Sequence, residues 1–571
     1  MTDTKTAAPR PTETVTPPTF DWWAYLARYT PKVVVAVREG YSREIFLKDM
    51  MAGLTVAILA VPLSLAIAIG SGVDPAKGLI TAIVGGFFIS AFGGCRLQVG
   101  GPAAAFIVIV AGVVAKYGVE GLVAATFMAG AFLVVAALLN LGTYIKYVPG
   151  PVILGFTCGL GVIIFVSQLK DFFGLNGNLA TEFVHKLRDL WSIRATWNLS
   201  ALAVGLASVA MIVWFRRAFP KLPGLLGVVV LSSAAVWLFG LNVETVGSRF
   251  GQMPRSLPAP TLPWIGLDGM IDLLPTALML ALLIGVESLL SAVTADAIAG
   301  TRHRPNTEIL GQGIANMATA LFGGLPATGV IARTGTNIAA GGQTPVSGIF
   351  HALFVLLFVM LLAPLVSYLA LPCLAAVLLT VAWRLIEPHD VWHFLKTAPR
   401  DDAIVLLATM LLTIFIDLNV GISVGVVLAS LFFMHRMSET AGDAVTALEP
   451  DNGLVDESGV KTLTFRGPLF FGQSMRVSDA LRENSRGAKV LVLDFAGVPL
   501  VDATAISMLD DLVSDCRKRG QAIVIAGLQS QPKAALQRSG LLRDSTIHVA
   551  LDHAEGLAKA HWLVTGQSVT T

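Results

Sequence analysis

The stretch FGGLPATGVIAR at residues 322–333 has a counterpart, FGGCRLQVGGPAA, at residues 92–104. In both, an apolar run ends in Phe-Gly-Gly, a segment containing Gly and Pro follows, and a short, weakly apolar run comes next. Interrupted short segments at corresponding positions of two halves of a chain are the sequence pattern that points to the binding site of a membrane transporter. The pattern predicts two related halves, although so short a match in a chain with 55 glycines is also compatible with coincidence.

The rest of the first 437 residues alternates between long apolar runs and short polar loops. A spanning helix needs about 20 apolar residues. Eleven runs predict spans, at residues 54–70, 79–92, 122–141, 152–168, 202–215, 225–241, 274–295, 349–369, 373–383, 403–416 and 420–434. Two weaker runs, 103–115 and 309–322, and a Gly-interrupted half-span at 331–340 bring the predicted number to fourteen.

The composition agrees with a membrane protein. Of 571 residues, 54% are hydrophobic and 14% are charged, whereas a soluble domain carries about 25% charged residues. This excludes an ordinary soluble enzyme and a disordered chain. With 40 Lys and Arg against 38 Asp and Glu, no basic excess is left for nucleic acid. The four cysteines are widely spaced and suggest neither a metal site nor a disulfide framework.

Basic loops orient the predicted bundle. They contain Arg96, Lys146, Arg216, Arg217, Lys221, Arg302, His303, Arg304, Arg384, Lys396 and Arg400. With fourteen segments, all of these loops fall on the side that holds both termini, which should therefore be cytoplasmic. The predicted domains are a cytoplasmic tail with an interfacial helix over residues 1–48, a transport domain over 49–437 and a cytoplasmic domain over 438–571. The tail is expected to be disordered over 1–20 and helical over 21–48.

The region after residue 437 has more charge and shorter apolar runs. Strands are predicted at residues 460–465, 489–495 and 522–526, and helices at 505–518 and 532–539. About 120 residues with this alternation predict one small α/β domain. Asp502 and Thr504 are expected to cap the helix that follows them.

Two charges stand alone in the predicted membrane domain. Glu287 is the only charged residue between Leu273 and Ala295, and Arg333 is the only one between Glu308 and Arg384. A charge at mid-bilayer costs at least about 2.5–3.5 kcal/mol, so such residues normally face a polar cavity on a substrate or ion path. The alternatives are a helix-packing role for Glu287 and a surface-loop position for Arg333.

Glu287 begins a polar stripe. Ser291 and Thr294 follow at i+4 and i+7, on the same helix face. An apolar environment favours the neutral form of a carboxyl group, which suits a proton carrier. A neighbouring Arg333 would oppose this, and the sequence does not decide between the two effects. Serine and threonine are also common packing residues in spanning helices.

The two interrupted segments predict helix starts inside the membrane. Free N–H groups and the helix dipole at such starts attract anions, and Arg333 adds a full positive charge at one of them. Ser64, in Val61-Pro62-Leu63-Ser64, lies mid-span beside a proline and could line the same cavity. A plain kink at this point is equally compatible with the sequence.

Several motifs in this order resemble the sulfate permease (SulP) family of anion transporters, which includes the mammalian solute-carrier anion exchangers. The resemblance covers residues 45–565 and is strongest to bacterial members. The motifs are AGLTV at 52–56, VPLS at 61–64, VGGPAAAF at 99–106, GVESLL at 285–290, NTEILGQGIAN at 306–316, ART at 332–334 and DLNVGI at 417–422. The segment VPLVDATA at 498–505 resembles the STAS domain that ends these transporters.

The resemblance implies an α-helical membrane domain with fourteen segments in a 7+7 inverted repeat, divided into core and gate, followed by an α/β STAS domain. It also implies elevator-like movement of the core and a homodimer. In the family the substrate lies between the third and tenth spans. Carried over, the substrate-binding residues are Ala103, Ala104, Ala105, Phe106, Ala332, Arg333 and Thr334, and the ion-coupling acid is Glu287. The sequence pattern itself adds Ser64 to the predicted substrate-binding residues and Ser291 to the predicted ion-coupling residues.

The expected function is secondary active uptake of sulfate, bicarbonate or a C4-dicarboxylate across the inner membrane. A glutamate at position 287 favours H⁺ symport, since sodium-coupled bicarbonate members of the family tend to have aspartate there. A Na⁺-coupled bicarbonate symporter, an anion exchanger and a passive anion channel remain alternatives. No cofactor or metal is expected, and no nucleophile–base pair suggests an enzyme. The STAS domain is expected to bind a protein or nucleotide partner, and related proteins are phosphorylated at the position of Thr504.

Overall fold

Fourteen helical segments form the membrane domain in the computed structural model, which describes residues 29–145, 149–180, 182–218, 224–263, 265–446, 459–471, 477–478, 481 and 487–566. The helices of this domain are α1 (Lys32–Arg38), α2 (Arg43–Gly70), α3 (Pro75–Ile80), α4 (Gly86–Phe92), α5 (Ile107–Leu138), α6 (Gly142–Ile145), α7 (Gly150–Phe173), α8 (Phe183–Ser192), α9 (Leu199–Ala218), α10 (Gly224–Leu238), α11 (Val246–Phe250), α12 (Leu267–Ala299), α13 (Pro305–Leu321), α14 (Ile331–Ala339), α15 (Val346–Val366), α16 (Leu371–Ile386), α17 (Pro388–Thr397), α18 (Arg400–Phe415) and α19 (Leu418–Thr446).

The predicted fourteen segments are confirmed by these bounds. Within the described residues, nine helices are individually long and apolar enough to cross a membrane. The shorter helices α10, α13, α14 and α18 add four segments. The fourteenth segment arises because α5 changes direction at Gly118, whose φ of +71° and ψ of −174° divide this helix into two segments. The separately predicted runs at 103–115 and 122–141 are therefore two segments of one kinked helix. A π-helical turn at Thr81–Gly85 likewise joins α3 and α4 into one segment.

Segments of the first half pack on segments of the second half in two groups, the core and the gate. In the core, α5 of the first half packs on α12 and α13 of the second, and α2 packs on α15. In the gate, α7 packs on α16 and α18, and α9 packs on α16. Equivalent segments of the two halves thus share the same group, as expected for a 7+7 inverted repeat.

The region before the first span differs from the predicted single helix over residues 21–48. Of this stretch, residues 29–48 are described. Helix α1 ends before Gly40, which has a φ of +102°, and Ser42 starts a new helix by accepting a hydrogen bond from the Ile45 N–H at 3.3 Å. The residues from Arg43 onward therefore belong to the first span, α2. The prediction of a disordered tail over residues 1–20 lies outside the described residues.

The chain divides into two units, Met1–Val426 and Val427–Thr571, and the predicted domain boundary at 437/438 falls inside α19. The second unit contains β3 (Val460–Arg466), β4 (Val490–Gly497), α20 (Ala503–Lys518), β5 (Ala522–Ala526), α21 (Ser530–Ser539), β6 (Ile547–Ala550) and α22 (His553–Thr565). Among the described residues of this unit, four parallel strands form one sheet in the order β3-β4-β5-β6. The predicted α/β domain is confirmed, and β6 and α22 are additional elements.

Of the two residues predicted to cap helix α20, Asp502 does so and Thr504 does not. Asp502 is its N-cap, and the carboxylate accepts hydrogen bonds from the N–H groups of Ala505 at 2.8 Å and Phe471 at 2.9 Å. Thr504 already lies inside the helix with an exposed side chain, because Asp502 takes the capping position. The expected capping role of Thr504 is therefore wrong.

Candidate functional site

The two interrupted segments meet in a short antiparallel ribbon. Strand β1 (Gly100–Pro102) pairs with β2 (Ala327–Gly329), with Gly100 opposite Gly329 and Pro102 opposite Ala327. All six residues are buried. The sequence predicted the interruptions and not their pairing, because each strand is too short to show a period of two. The internal match between residues 92–104 and 322–333 thus corresponds to a symmetric feature of the fold.

A helix starts after each strand of the ribbon. A 3-10 turn at Ala104–Phe106 leads from β1 into α5, and α14 begins at Ile331 after β2. In the described structure no side chain caps either start, so the first N–H groups of each helix are available to another acceptor. Ala103, Ala105 and Phe106 are buried, whereas Ala104 is partly exposed and Ala332 is exposed. Two uncapped helix starts at one buried ribbon make a suitable anion site.

Arg333 crosses from α14 to the other half of the ribbon. Its side chain is fully buried. The Nη1 group donates to the Gly100 carbonyl at 3.1 Å, and Nη2 donates to the Ser64 hydroxyl at 2.9 Å and to the Pro102 carbonyl at 3.4 Å. Within the described residues its Nε atom has no hydrogen-bond partner. A buried cation with neutral partners and an unused N–H is the arrangement that an anion completes.

The position of Arg333 depends on a glycine. Gly101 has a φ of +154°, and a Cβ there would lie 1.7 Å from Arg333 Nη1. We expect Gly101→Ala to displace the guanidinium from its carbonyl and hydroxyl partners and to weaken anion binding by about tenfold, the loss of about one charge-assisted hydrogen bond. Titration of the purified variant with the transported anion measures this. Gly112→Ala on α5, where a Cβ meets nothing within 4 Å, is the matched control, and equal weakening in both variants would contradict the role of Gly101.

Thr334 and Ser291 join the ribbon to α12. The Thr334 hydroxyl oxygen accepts a hydrogen bond from the Val99 N–H at 3.2 Å and lies 3.4 Å from the Ser291 hydroxyl oxygen. Both side chains are buried. Ser64, Ser291, Arg333 and Thr334 are thus brought around one ribbon, although they come from three helices. Their roles in binding remain predictions.

Glu287 lies on α12, and its Oε2 atom is buried without a hydrogen-bond partner in the described structure. Ser291 follows one turn later, as the predicted stripe requires. Further along the helix, the Thr294 hydroxyl donates to the Leu290 carbonyl at 2.9 Å. Thr294 lies on the same face at i+7, its hydroxyl donor is used within its own helix, and its part in the stripe remains a prediction.

A second buried carboxyl group, that of Glu308, stabilises the segment that leads into the ribbon. Glu308 on α13 accepts hydrogen bonds from the N–H groups of Gly94 and Cys95 at 2.9 Å each, from Ser288 at 3.1 Å and from Gln312 at 2.8 Å. No sequence pattern predicted this role for Glu308. These bonds tie the segment that leads into β1 to helices α12 and α13.

The strands of the ribbon are also held by two side-chain amides. Gln98 Nε2 donates to the Ser288 hydroxyl at 3.1 Å. Asn316 donates to the Ala327 carbonyl and accepts from the Ala327 N–H, both at 2.8 Å, and so replaces a strand partner for β2. Both amides are buried. Their polarity at otherwise apolar positions was the only sequence signal for this role.

Asp49 forms a separate polar cluster near the start of the first span. Its carboxylate accepts hydrogen bonds from the Gln343 N–H at 2.7 Å, from the Thr344 N–H at 3.1 Å and from the Tyr41 hydroxyl at 3.2 Å. Burial, followed by the charge of Asp49, raises the pKa of Tyr41 to about 12. The phenol therefore remains a hydrogen-bond donor at physiological pH, and the cluster joins α2 to the loop before α15.

The fold defines a class: a multi-pass membrane transporter built as an inverted repeat, in which two interrupted segments meet in one buried ribbon. Residues 46–409 match the model of the Sulfate permease family, and residues 454–555 match that of the STAS domain. The chain belongs to the sulfate permease family of anion transporters and carries a C-terminal STAS domain.

Two bacterial relatives align over most of the chain. The putative sulfate transporter YvdB of Bacillus subtilis is 39% identical over 518 residues, which are 90% of this chain and 98% of the relative. The bicarbonate transporter BicA of Synechocystis is 31% identical over 528 residues, which are 87% of this chain and 90% of the relative.

Solved structures show the same architecture. Murine Slc26a9, an anion transporter in an inward-facing state, matches with a TM-score of 0.82 at 18% identity over 98% of this chain and 100% of that chain, which supports the fold alone. The transmembrane domain of a cyanobacterial BicA matches with a TM-score of 0.60 at 29% identity over 68% of this chain and 98% of that chain.

Proposed function

We propose that this protein imports a small anion, with sulfate as the first candidate, by symport with H⁺. The observation that carries the proposal is Arg333: a fully buried guanidinium with an unused Nε–H group, placed at the start of α14 beside the ribbon. An unpaired buried cation is costly unless a partner neutralises it. A bound anion would supply that partner, and the N–H groups of two helix starts would complete its coordination.

The bound anion is expected to lie among the predicted substrate residues. Ser64 and Thr334 would fix the ribbon and the arginine around it. The small side chains of Ala103, Ala104 and Ala105 leave room near the start of α5, and Phe106 and Ala332 border the two helix starts. Sulfate is the first candidate substrate because the relative YvdB is named a putative sulfate transporter. Bicarbonate is the second because BicA is named a bicarbonate transporter.

Glu287 is the proposed coupling residue. It is the carboxyl group on α12 one turn before Ser291, and its Oε2 atom lacks a partner in the described residues. A proton on this carboxyl would enter with the anion, cross the membrane with the moving core and leave on the cytoplasmic side. Na⁺ in place of H⁺ is the alternative coupling ion.

Transport is proposed to involve movement of the whole core of the membrane domain. The core, with α2, α5 and α12–α15, would move as a body past the gate. The protein would act as a homodimer in the bacterial inner membrane with both termini in the cytoplasm, and the STAS domain would bind a cytoplasmic protein or nucleotide.

Transport by the purified full-length protein in liposomes tests the function. We expect an imposed inward proton gradient to drive uptake of labelled sulfate, with the membrane potential clamped by potassium and valinomycin. Bicarbonate, fumarate and chloride are compared as competitors, and a sodium gradient replaces the proton gradient in a parallel series. Uptake that responds only to sodium would contradict proton symport, and uptake of none of these anions would contradict the proposed function.

A further inference from the structure

His351 lies on α15 in a tight interface with α4. Its side chain is fully buried. A Cβ on Gly86 of α4 would lie 3.5 Å from His351 Cδ2 and 3.7 Å from Nε2. One turn further along, Ser90 of α4 faces Gly348 of α15, whose added Cβ would lie 2.1 Å from the serine hydroxyl. Each helix therefore presents a glycine to the polar side chain of the other, which brings the imidazole close to the α4 backbone.

The polar atoms in this interface are not satisfied. Within the described structure neither ring nitrogen of His351 has a hydrogen-bond partner, and the same holds for the Ser90 hydroxyl and for Arg333 Nε. A buried polar group without a partner lowers stability, so its presence calls for a functional explanation. Apolar residues of similar size would fill the α4–α15 interface at less cost.

The imidazole and the guanidinium lie near the same backbone carbonyl. A Cβ on Gly86 would lie 3.2 Å from the Gly100 carbonyl oxygen, which accepts the hydrogen bond from Arg333 at 3.1 Å. Arg333 is the charged group whose field acts on His351. From α2, Gly53 packs against the backbone of α15 next to His351, and the nearest acid on that helix, Asp49, is bonded to residues 343 and 344. From α4 the imidazole faces Gly86, which carries no charge.

We propose that His351 is a second proton-binding residue of the transport cycle, which takes up a proton when an anion occupies the site at Arg333. This inference rests on the proposed function. Without an anion, imidazolium and guanidinium would be two like charges in a low-dielectric interior, so the imidazole stays neutral. A bound anion removes this repulsion, and by linkage the proton strengthens anion binding to the same degree.

Charge balance supports the proposal for a dianion. In the proposed symport cycle Glu287 is ionised in the empty site, where its charge and that of Arg333 sum to zero while His351 is neutral. With sulfate bound, the two negative charges are balanced by Arg333 and protonated His351, provided that Glu287 is also protonated. Both states of the site are then neutral overall, and the transition between them requires two protons, which enter and leave with the anion. A membrane-embedded site that crosses the bilayer is favoured when it carries no net charge.

Proton uptake on anion binding tests the inference. Sulfate is added to the full-length protein in weakly buffered detergent solution between pH 6 and 7, and a pH indicator reports the protons taken up. We expect about two protons per sulfate for the wild type and about one for His351→Gln. The sulfate affinity should therefore depend less steeply on pH in His351→Gln: for each unit by which the pH is lowered, its affinity should increase by a factor about ten times smaller than that of the wild type. Glu287→Gln is expected to retain about one proton, the one on His351.

The controls separate this inference from the proposed function. His303→Gln removes an imidazole that is paired with Asp296 at 2.7 Å and should behave as the wild type. At pH 8 the His351 side chain of the wild type is expected to stay neutral, so wild type and His351→Gln should bind sulfate equally. Equal binding also shows that the variant is folded. His351→Asn is the second variant. Wild-type proton uptake in His351→Gln overturns the inference alone. Absence of binding of both sulfate and bicarbonate by the wild type overturns the proposed function together with it.

Discussion

Replacing Arg333 with glutamine is expected to weaken anion binding by about 100-fold, which corresponds to about 2.7 kcal/mol. The guanidinium is the full positive charge at the ribbon, and truncating one partner of a buried charge pair usually costs 2–5 kcal/mol or more, of the order of this loss. Isothermal titration of the purified full-length protein with sulfate, and with bicarbonate as the second ligand, measures the effect. We expect uptake at low anion concentration to fall in proportion.

Two variants make the Arg333 experiment specific. Arg333→Lys keeps the charge and loses the planar donor geometry, so it should retain part of the affinity. Arg96→Gln removes another arginine of the same domain, which pairs with Glu39 and the Gln343 carbonyl, and should bind as the wild type. If Arg333→Gln binds the anion with unchanged affinity, Arg333 does not belong to the binding site.

Replacing Glu287 with glutamine is expected to lower the accumulation of the anion at equilibrium by about tenfold for a gradient of one pH unit, because one coupled proton contributes about 1.4 kcal/mol per pH unit. The amide has nearly the same shape and does not titrate. Exchange of internal for external anion at equal pH should persist, since the binding residues at the ribbon are intact. Labelled-anion accumulation in liposomes at clamped potential gives both numbers.

The same helix offers a matched control for Glu287. Asp272 is an exposed acid of α12, and Asp272→Asn makes the same change of charge away from the ribbon. It should leave the accumulation ratio at the wild-type value. An accumulation ratio in Glu287→Gln equal to that of the wild type would show that the coupling proton is carried elsewhere.

The sequence predicted the membrane architecture because each part of it leaves a local signal. Apolar runs mark the segments, and the Gly/Pro interruptions mark the ribbon. Glu287 and Arg333 were recognisable because each stands alone in a long uncharged run. A local signal also identified Asp502 as the helix cap.

What sequence could not supply is the partner of each buried polar residue. Arg333 bonds to Ser64 across 269 positions of the chain, and Gln98 bonds to Ser288 across 190. Such contacts depend on how helices from the two halves pack. His351 was not singled out because histidine counts as uncharged in such a run, and Glu308 was not because it closely follows the basic loop at residues 302–304. The intrahelical bond of the Thr294 hydroxyl likewise could not be read from its spacing.

The position of the bound anion tests the account most directly. Crystals of the full-length protein grown with selenate, the anomalously scattering analogue of sulfate, would locate it by its selenium signal. We predict one peak within hydrogen-bond distance of Arg333, between the start of α14 and the start of the 3-10 turn at Ala104–Phe106. A peak elsewhere in the membrane domain, or no peak in a protein that transports sulfate, would contradict the proposal that the anion binds at the ribbon.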